Sequence, residues 1–407
     1  MAATVYFAKW ILLPDGEILV NGGVAVEGAR ISTVGPRGKL RRTSKDRIVN
    51  LGETLLMPGL VNMHTHLEEG VLRGLHKQEE ESFAVWMTRR RRAVRKAPPD
   101  TVLSTVRLGI REALANGITT VVDTSQTDIS PIVLRDEPIR SWVIHETHPD
   151  STADDDVIGT LAKRIERSRH EGTVGAGPYA LFSLTPSRHR ALVDFARRNG
   201  YLWACHVAES SEELQAFSEQ TGDLYGLITR KSPWPFGPPG RGSMYYAVTG
   251  NLIPNQGLCY HCNYMSGQEL SLLTAKNVTL VFCPQYNDAL GHKPFPLDVA
   301  LGRGCNVCLG TESPESSAPM NLFDELNLVM KMYPHIPSRQ LVRLVTTNAA
   351  RALRCGAIGA LAPGCAADLI GLRFPHDPRN DILDELILEE PRVVLVVVDG
   401  EEVIVGY

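Results

Sequence analysis

Residues 57–66 read MPGLVNMHTH, a short apolar run of strand character that ends in two histidines one residue apart. Residues two apart on a strand share a face, so the imidazoles of His64 and His66 can reach one metal ion. A dinucleotide-binding sheet needs a glycine-rich turn after its first strand; His-Thr-His at that position argues against a Rossmann fold. Working outward, seven more strand-like runs follow: GITTVVDT (117–124), IRSWVIHET (139–147), TVGAGPYA (173–180), GYLWACHVAES (200–210), GLCYHCNYM (257–265), NVTLVFCP (277–284) and CNVCLGTES (305–313). Helical text separates most of them. In PDTVLSTVRLGIREALANG (99–117), Val102, Val106, Ile110 and Leu114 recur every four residues and Gly117 ends the run. Eight strands interleaved with helices predict an α/β fold, a (β/α)8 TIM-type barrel over 57–362.

The flanks read differently. Residues 1–56 hold VYFAKWILL, PDGEILVNGG and VAVEGARISTVG, with Asp15-Gly16 and Gly22-Gly23 as hairpin punctuation. Residues 363–407 hold AADLIGLRF, RVVLVVVDG and EEVIVGY, with Asp399-Gly400 as a turn. Two β-rich ends around a different middle predict a small β domain assembled from both termini, 1–56 and 363–407. Residues 231–243 (KSPWPFGPPGRGS) form a Pro/Gly loop after the fifth barrel strand, read as a lid or substrate wall because such loops build barrel sites.

Composition narrows the function classes. The 407 residues carry 42 Lys plus Arg against 46 Asp plus Glu, a net charge of −4, which argues against a dedicated nucleic-acid binder. With 43% hydrophobic and 22% charged residues, the chain is ordinary for a soluble globular enzyme. No stretch approaches the ~18–20 apolar residues of a membrane helix, and Lys9, Pro14 and Asp15 interrupt any signal-peptide pattern, so the cytoplasm is expected. Cys259-x-x-Cys262 and Cys305-x-x-Cys308 resemble a zinc ribbon in outline only. Their separation exceeds the usual roughly 15–20 residues, and positions three apart on a strand face opposite ways, so buried reduced thiols are expected.

Reactive groups of a barrel sit at the C-terminal ends of its strands. There the sequence puts His64 and His66 on the first strand, His206 and Glu209 on the fifth, His261 on the sixth and Glu312 on the eighth. Such clustering predicts a mononuclear site for one divalent metal ion, zinc first among the candidates, with iron or manganese also suited to imidazole ligands. A divalent ion lowers the pKa of a bound water from ~15.7 towards ~7, and carboxylates beside it can move protons.

MPGLVNMHTHLE, HVAES, the isolated strand-six histidine, CPQYND and LGTES together resemble the amidohydrolase superfamily, in its aminohydrolase (deaminase) branch. The resemblance runs through TTNAARAL and IGALAPGCAADLIGL and so covers nearly the whole chain. It implies a metal held by His64, His66, His206 and the acidic residue of strand eight, here Glu312. It further implies that Glu209 shuttles protons to the substrate ring nitrogen and leaving amine, and that His261 orients or polarises the attacking water. Strand four (GAGPYALFSL) contains no lysine to carboxylate, which favours one metal. Two departures stand out. Relatives usually read Gly-Thr-Asp where this chain has Glu312, and strand four lacks the histidine of a Pro-His-x-Pro-Tyr segment.

Within the branch, HTHLE, SFAVWMTRRRR and CPQYND…GHKPFPLDVALGRG are most similar to aminodeoxyfutalosine deaminases of the alternative menaquinone pathway, which act on a 6-aminopurine nucleoside derivative. HLEEGVLRGL is similar instead to methylthioadenosine and adenosylhomocysteine deaminases; triazine-type hydrolases share the scaffold. A non-enzymatic alternative is a degenerate barrel used as a scaffold or assembly protein. Glu68 and Glu69 can hydrogen-bond a ribose or purine edge or stand solvated, and His145, near the end of the third strand, is the further histidine expected to face the site and its substrate. Arg89 to Arg92, with Arg95 and Lys96, offer charge for an anionic carboxyphenyl or phosphate group, but four consecutive positions sweep about 300° of a helix and read rather as a solvated or interface face. His148, His170, His189, His292 and His335 read as surface or loop residues. The partners expected are a small-molecule substrate, no nucleic acid, no membrane, and a second copy in a homodimer, which is common in relatives.

Overall fold

The computed structural model describes residues 2–40, 43–148, 156–168, 173–231, 234, 236–237, 239–313 and 319–406. Two sheets organise it. The first is built from both ends of the chain: β1 (Thr4–Leu12), β2 (Ile18–Glu27), β3 (Arg30–Pro36), β4 (Arg47–Asn50), β5 (Leu55–Pro58), β14 (Leu369–Arg373), β15 (Arg392–Val398) and β16 (Glu401–Val405). Its order is β16-β15-β14-β5-β1-β2-β3, with β4 also paired to β1. The second sheet runs in chain order through β6 (Leu60–Thr65), β7 (Ile118–Ser125), β8 (Arg140–Thr147), β9 (Thr173–Pro178), β10 (Leu202–Val207), β11 (Leu258–His261), β12 (Thr279–Phe282) and β13 (Asn306–Leu309), with every neighbouring pair parallel. Thr65 and Glu312 bridge the first and last strands, and the His66 N–H donates to the Glu312 carbonyl (3.2 Å), bringing the sheet to a nearly closed eight-stranded barrel.

Residues 55–66 (LLMPGLVNMHTH), which include the apolar run read above as one strand, form two. LLMP lies in the small sheet between β1 and β14, and the chain crosses to the barrel at Gly59. A Cβ there would stand 2.0 Å from Thr119 Oγ1, so only glycine lets the crossing pack this closely. Gly22-Gly23 is not a turn either. Both lie inside β2 opposite Ala8 and Phe7, where a Cβ would meet Ile11 or Phe7 at 2.7 Å; the turn falls at Gly28, with φ +56°. The C-terminal segment also contains a helix, Ile382–Leu388, buried through Ile382, Leu383, Leu386 and Ile387.

Barrel side chains alternate. Val61, Val122, Trp142, Ile144, Leu202, Ala204, Leu258, Tyr260, Val281 and Cys308 fill the interior, while the opposite faces pack under the helices. Of those helices, α1 spans Phe83–Lys96 and α2 spans Pro99–Ala115; α2 buries Val102, Val106, Ile110 and Leu114, and Gly117 follows it at φ +76°. Among the described residues no helix is long and apolar enough to cross a membrane.

Candidate active site

Tyr260 is the floor of the site. Its ring, in the interior layer, stacks beneath His64 at 3.6 Å between centroids. Above it the Nε2 atoms of His64 and His206 stand 3.1 Å apart, and those of His66 and His206 stand 3.3 Å apart. Nitrogen ligands about 2.0–2.1 Å from one ion and about 90–109° apart would be separated by about 3–3.4 Å, so the spacing fits shared coordination. Glu312 brings Oε2 to 2.5 Å from His64 Nε2 and Oε1 to 3.6 Å from His66 Nε2. His261 Nε2 lies 3.6 Å from Glu312 Oε2 and makes no hydrogen bond. A bare buried lone pair facing a carboxylate is the arrangement a cation satisfies.

The outer hydrogen bonds fix which nitrogens are bare. His206 Nδ1 meets the Tyr179 carbonyl, which can only accept, so Nδ1 carries the hydrogen and Nε2 the lone pair. For His261 the orientation is set at one remove. The Glu209 carbonyl accepts from Asn263 Nδ2, Asn263 Oδ1 accepts from Asn287 Nδ2, and Asn287 Oδ1 faces His261 Nδ1, each at 3.1 Å. That leaves His261 Nδ1 as donor and Nε2 as acceptor. Burial lowers the proton affinity of His66, but the Glu312 and Glu69 carboxylates outweigh it and raise its pKa to about 9. Held there by anions, that proton marks a place where a cation would compete.

Glu209 sits beside this cluster, with Oε1 accepting from the Tyr286 hydroxyl at 3.3 Å and lying 3.8 Å from His261 Nε2. Burial, with the neighbouring Glu312 and Glu213 charges, pushes its pKa well above the ordinary carboxylate range. The turn carrying it is held from below, as Glu213 accepts from the N–H groups of Ala208 (2.8 Å) and Glu209 (3.0 Å). Ala208, His261, Cys262 and Glu312 all have φ between +54° and +65°. Non-glycine residues in this region cost ~1–3 kcal/mol each and concentrate where side-chain placement matters.

Several sequence expectations are corrected. Glu68 does not face the cluster: its carboxylate accepts from Ser125 Oγ and from the backbone of Gln126, Thr127, Ile129 and Ser130, so it anchors that loop. Glu69 does face inward, paired with Arg90 and with Gln126 Nε2 at 3.4 Å. His145 points to the outer side of the barrel, at Asp128 (3.1 Å). Strand alternation from Trp142 and Ile144 turns the next residue, Glu146, to the interior instead. The arginine run is not a solvated face. Arg90 is 3% exposed and donates to Tyr286 (2.6 Å), Glu69 and Glu312 (3.4 Å), while Arg91 lies over the Tyr179 ring. His148 and His189 are buried and His292 nearly so, with His292 Nε2 at 4.0 Å from Glu209; His335 is exposed, and His170 lies outside the described residues.

From the Pro/Gly loop, Trp234 packs on Phe217 and His189, and Phe236 on Phe217 and Tyr225, away from the cluster; residues 232–233, 235 and 238 lie outside the described part. The cysteines are free, and none joins a metal-type cluster among the described residues. Cys259 and Cys262 do not face apart as a continuous strand would require. The strand ends at His261, and the left-handed turn there brings the Cys262 thiol back to Cys259.

A (β/α)8 barrel with a His/Glu cation cluster at its strand ends defines a class of hydrolytic enzyme. The amidohydrolase family matches residues 55–403, and the chain belongs to it. It is similar to a 5-methylthioadenosine/S-adenosylhomocysteine deaminase of Nitratidesulfovibrio vulgaris, 28% identical over 387 residues, covering 91% of this chain and 83% of that protein. In fold it is similar to an adenosine deaminase from Xanthomonas campestris with bound zinc (TM-score 0.86, 22% identity, 100% of this chain and 93% of that one). It is similar also to Helicobacter pylori aminofutalosine deaminase in complex with methylthio-coformycin (TM-score 0.85, 20% identity, 98% and 100%).

Proposed function

We propose that the protein is a metal-dependent deaminase that hydrolyses the 6-amino group from an adenine-type nucleoside altered at its 5′ position. The observation that carries this reading is Glu209, a buried carboxyl with a raised pKa, 3.8 Å from the bare Nε2 of His261. His64, His66, His206 and Glu312 would hold one divalent ion, zinc first among the candidates, which supplies acidification of a water at neutral pH.

The chain's own residues do the rest. Glu209, whose burial favours its protonated form, gives a proton to a ring nitrogen, then takes one from the attacking water and passes it to the departing amine. His261, oriented through Asn287 and Asn263, offers a fixed acceptor on the face where water attacks. Arg90 and Tyr286 hold Glu312 and Glu209 in register, and their burial excludes bulk solvent.

Two substrate readings follow from different observations. GHKPFPL supports an aminodeoxyfutalosine-like nucleoside, and with it a place in menaquinone synthesis. The 28% identity to a methylthioadenosine/adenosylhomocysteine deaminase supports those nucleosides. Loss of adenine-type absorbance measured across aminodeoxyfutalosine, methylthioadenosine, adenosylhomocysteine and adenosine separates them. On the best substrate, Glu209→Gln should lose ~10²–10⁴-fold in kcat. Near-full turnover by that variant would remove Glu209 from the mechanism.

A further inference from the structure

His292 has no part in the mechanism above, yet its side chain is only 7% exposed and its Nε2 makes no hydrogen bond. The local chain explains its place. The helix Pro284–Ala289 carries Tyr286 and Asn287, which meet Glu209 and His261. Gly291, at φ +67°, then turns the chain back, so that the His292 N–H donates to the Asn287 carbonyl at 2.8 Å. The Lys293 N–H donates to the Tyr264 hydroxyl at 3.1 Å and pins the next residue. The His292 ring packs edge-on against Phe83, with 5.5 Å between centroids. Its Nε2 faces Glu209 Oε1 at 4.0 Å, too far for a hydrogen bond. Burial, with the Lys77 charge, lowers the pKa of this imidazole to about 4, so it is neutral in ordinary buffers. A buried polar nitrogen without a partner is costly.

The reaction brings a partner to this spot. Glu209 has to deliver a proton to the departing amine, so the amine nitrogen comes within hydrogen-bond reach of its carboxyl. An atom ~2.9 Å from both Glu209 Oε1 and His292 Nε2, which are 4.0 Å apart, sees them at about 90°, near the ~109° of a tetrahedral nitrogen. Once that nitrogen has used its lone pair to take the proton, it has only N–H groups left to offer. A neutral imidazole with its hydrogen on Nδ1 presents the lone pair that accepts one. We propose that His292 holds the leaving amine: its Nε2 accepts an N–H hydrogen bond from the nitrogen that Glu209 protonates, and so selects substrates that release ammonia over those that release a halide. The inference rests on the deaminase reading above and adds the residue that recognises the leaving group. The C–N bond breaks with its electron pair going to nitrogen, Glu209 supplies the proton, and His292 accepts a hydrogen bond without taking a proton.

The test uses the full metal-loaded chain, the most active of the four nucleosides above and its 6-chloro counterpart, whose leaving group carries no N–H. His292→Phe keeps a ring beside Phe83 and removes both nitrogens. It should lower kcat/KM on the 6-amino substrate roughly tenfold, the size of one hydrogen bond, and on the 6-chloro counterpart by less than about twofold. Metal content and melting temperature should stay at wild-type values. His292→Gln, whose side-chain oxygen can accept in place of Nε2, should regain most of the loss on the amine. If the Phe variant does not fold, His292→Leu carries the same comparison. If the wild type does not hydrolyse the 6-chloro compound, the contrast between Phe and Gln on the amine decides alone. Equal losses on amine and chloride overturn the proposal and make His292 a positioning residue for Glu209. Unchanged turnover of the amine by the Phe variant also overturns it, as does a loss in the Gln variant as deep as that in Phe. A wild type that releases no ammonia from any of the four nucleosides overturns the deaminase reading and this inference together; an active wild type with any of the contrary results overturns this inference alone.

Discussion

Glu312 reaches His64 from a left-handed backbone position three residues beyond β13, and it contacts His66 and Arg90 with its other oxygen. The site is therefore built around the longer side chain. Glu312→Asp withdraws the carboxylate by roughly 1.5 Å, and a displacement of about 1 Å can cost ~10²-fold in rate. We expect a loss of that size in kcat/KM with weaker metal retention, read by kinetics and elemental analysis on one preparation. Unchanged values in both would mean that Glu312 has been misassigned. His189 lies away from this cluster, donating from Nε2 to the Leu181 carbonyl at 2.9 Å, and burial lowers its pKa to about 4. Below pH ~6.5 the unfolded chain binds a proton there that the folded chain refuses, so stability falls with pH down to about 4. The shift is worth on the order of 3 kcal/mol. His189→Gln should flatten the fall in melting temperature between those pH values; an identical slope in wild type and variant would contradict the assignment.

At the scale of elements, the strand that decides the fold was legible because its two histidines obey the period of a strand. Alternation also holds the reason for what was missed. Trp142 and Ile144 face inward, so by the period of the strand Glu146 rather than His145 turns to the interior. On α1, Trp86, Arg90 and Val94 recur every four residues and are all buried, a stripe that four consecutive arginines conceal. Tyr286 and Asn287 stand in CPQYND, but their roles depend on contacts with Glu209 and His261 from other strands, which no local pattern encodes. The glycine before Thr311 has a measurable role of its own. A Cβ on Gly310 would come within 2.6 Å of His64 Cβ and 2.8 Å of its carbonyl oxygen. Gly310→Ala should therefore separate β13 from β6 at the metal strand, lowering metal affinity by at least tenfold while the circular dichroism spectrum persists. Wild-type affinity in that variant would show that the closure tolerates the methyl.

For the whole molecule, a metal centre that draws ligands from three strands far apart in the chain binds the folded chain and not the unfolded one. At a free concentration of 1,000 Kd that is worth about 4 kcal/mol. Chelation should accordingly lower the melting temperature, and added Zn²⁺ should restore it; equal melting with and without metal would exclude a centre of this kind. The small sheet, made from both termini, has a different bearing. β5 pairs on one side with β1, which precedes it in the chain, and on the other with β14, far downstream. During translation Leu55–Pro58 therefore presents an unmatched strand edge until Leu369–Arg373 leaves the ribosome. The roughly 310 intervening residues take roughly 15–60 s to make at bacterial-to-eukaryotic elongation speeds. Gly59 ties that waiting edge directly to the first barrel strand, so the barrel has to assemble while its neighbour is still half-paired. The nascent chain thus carries an edge open to strand pairing near its N-terminal end for most of its synthesis.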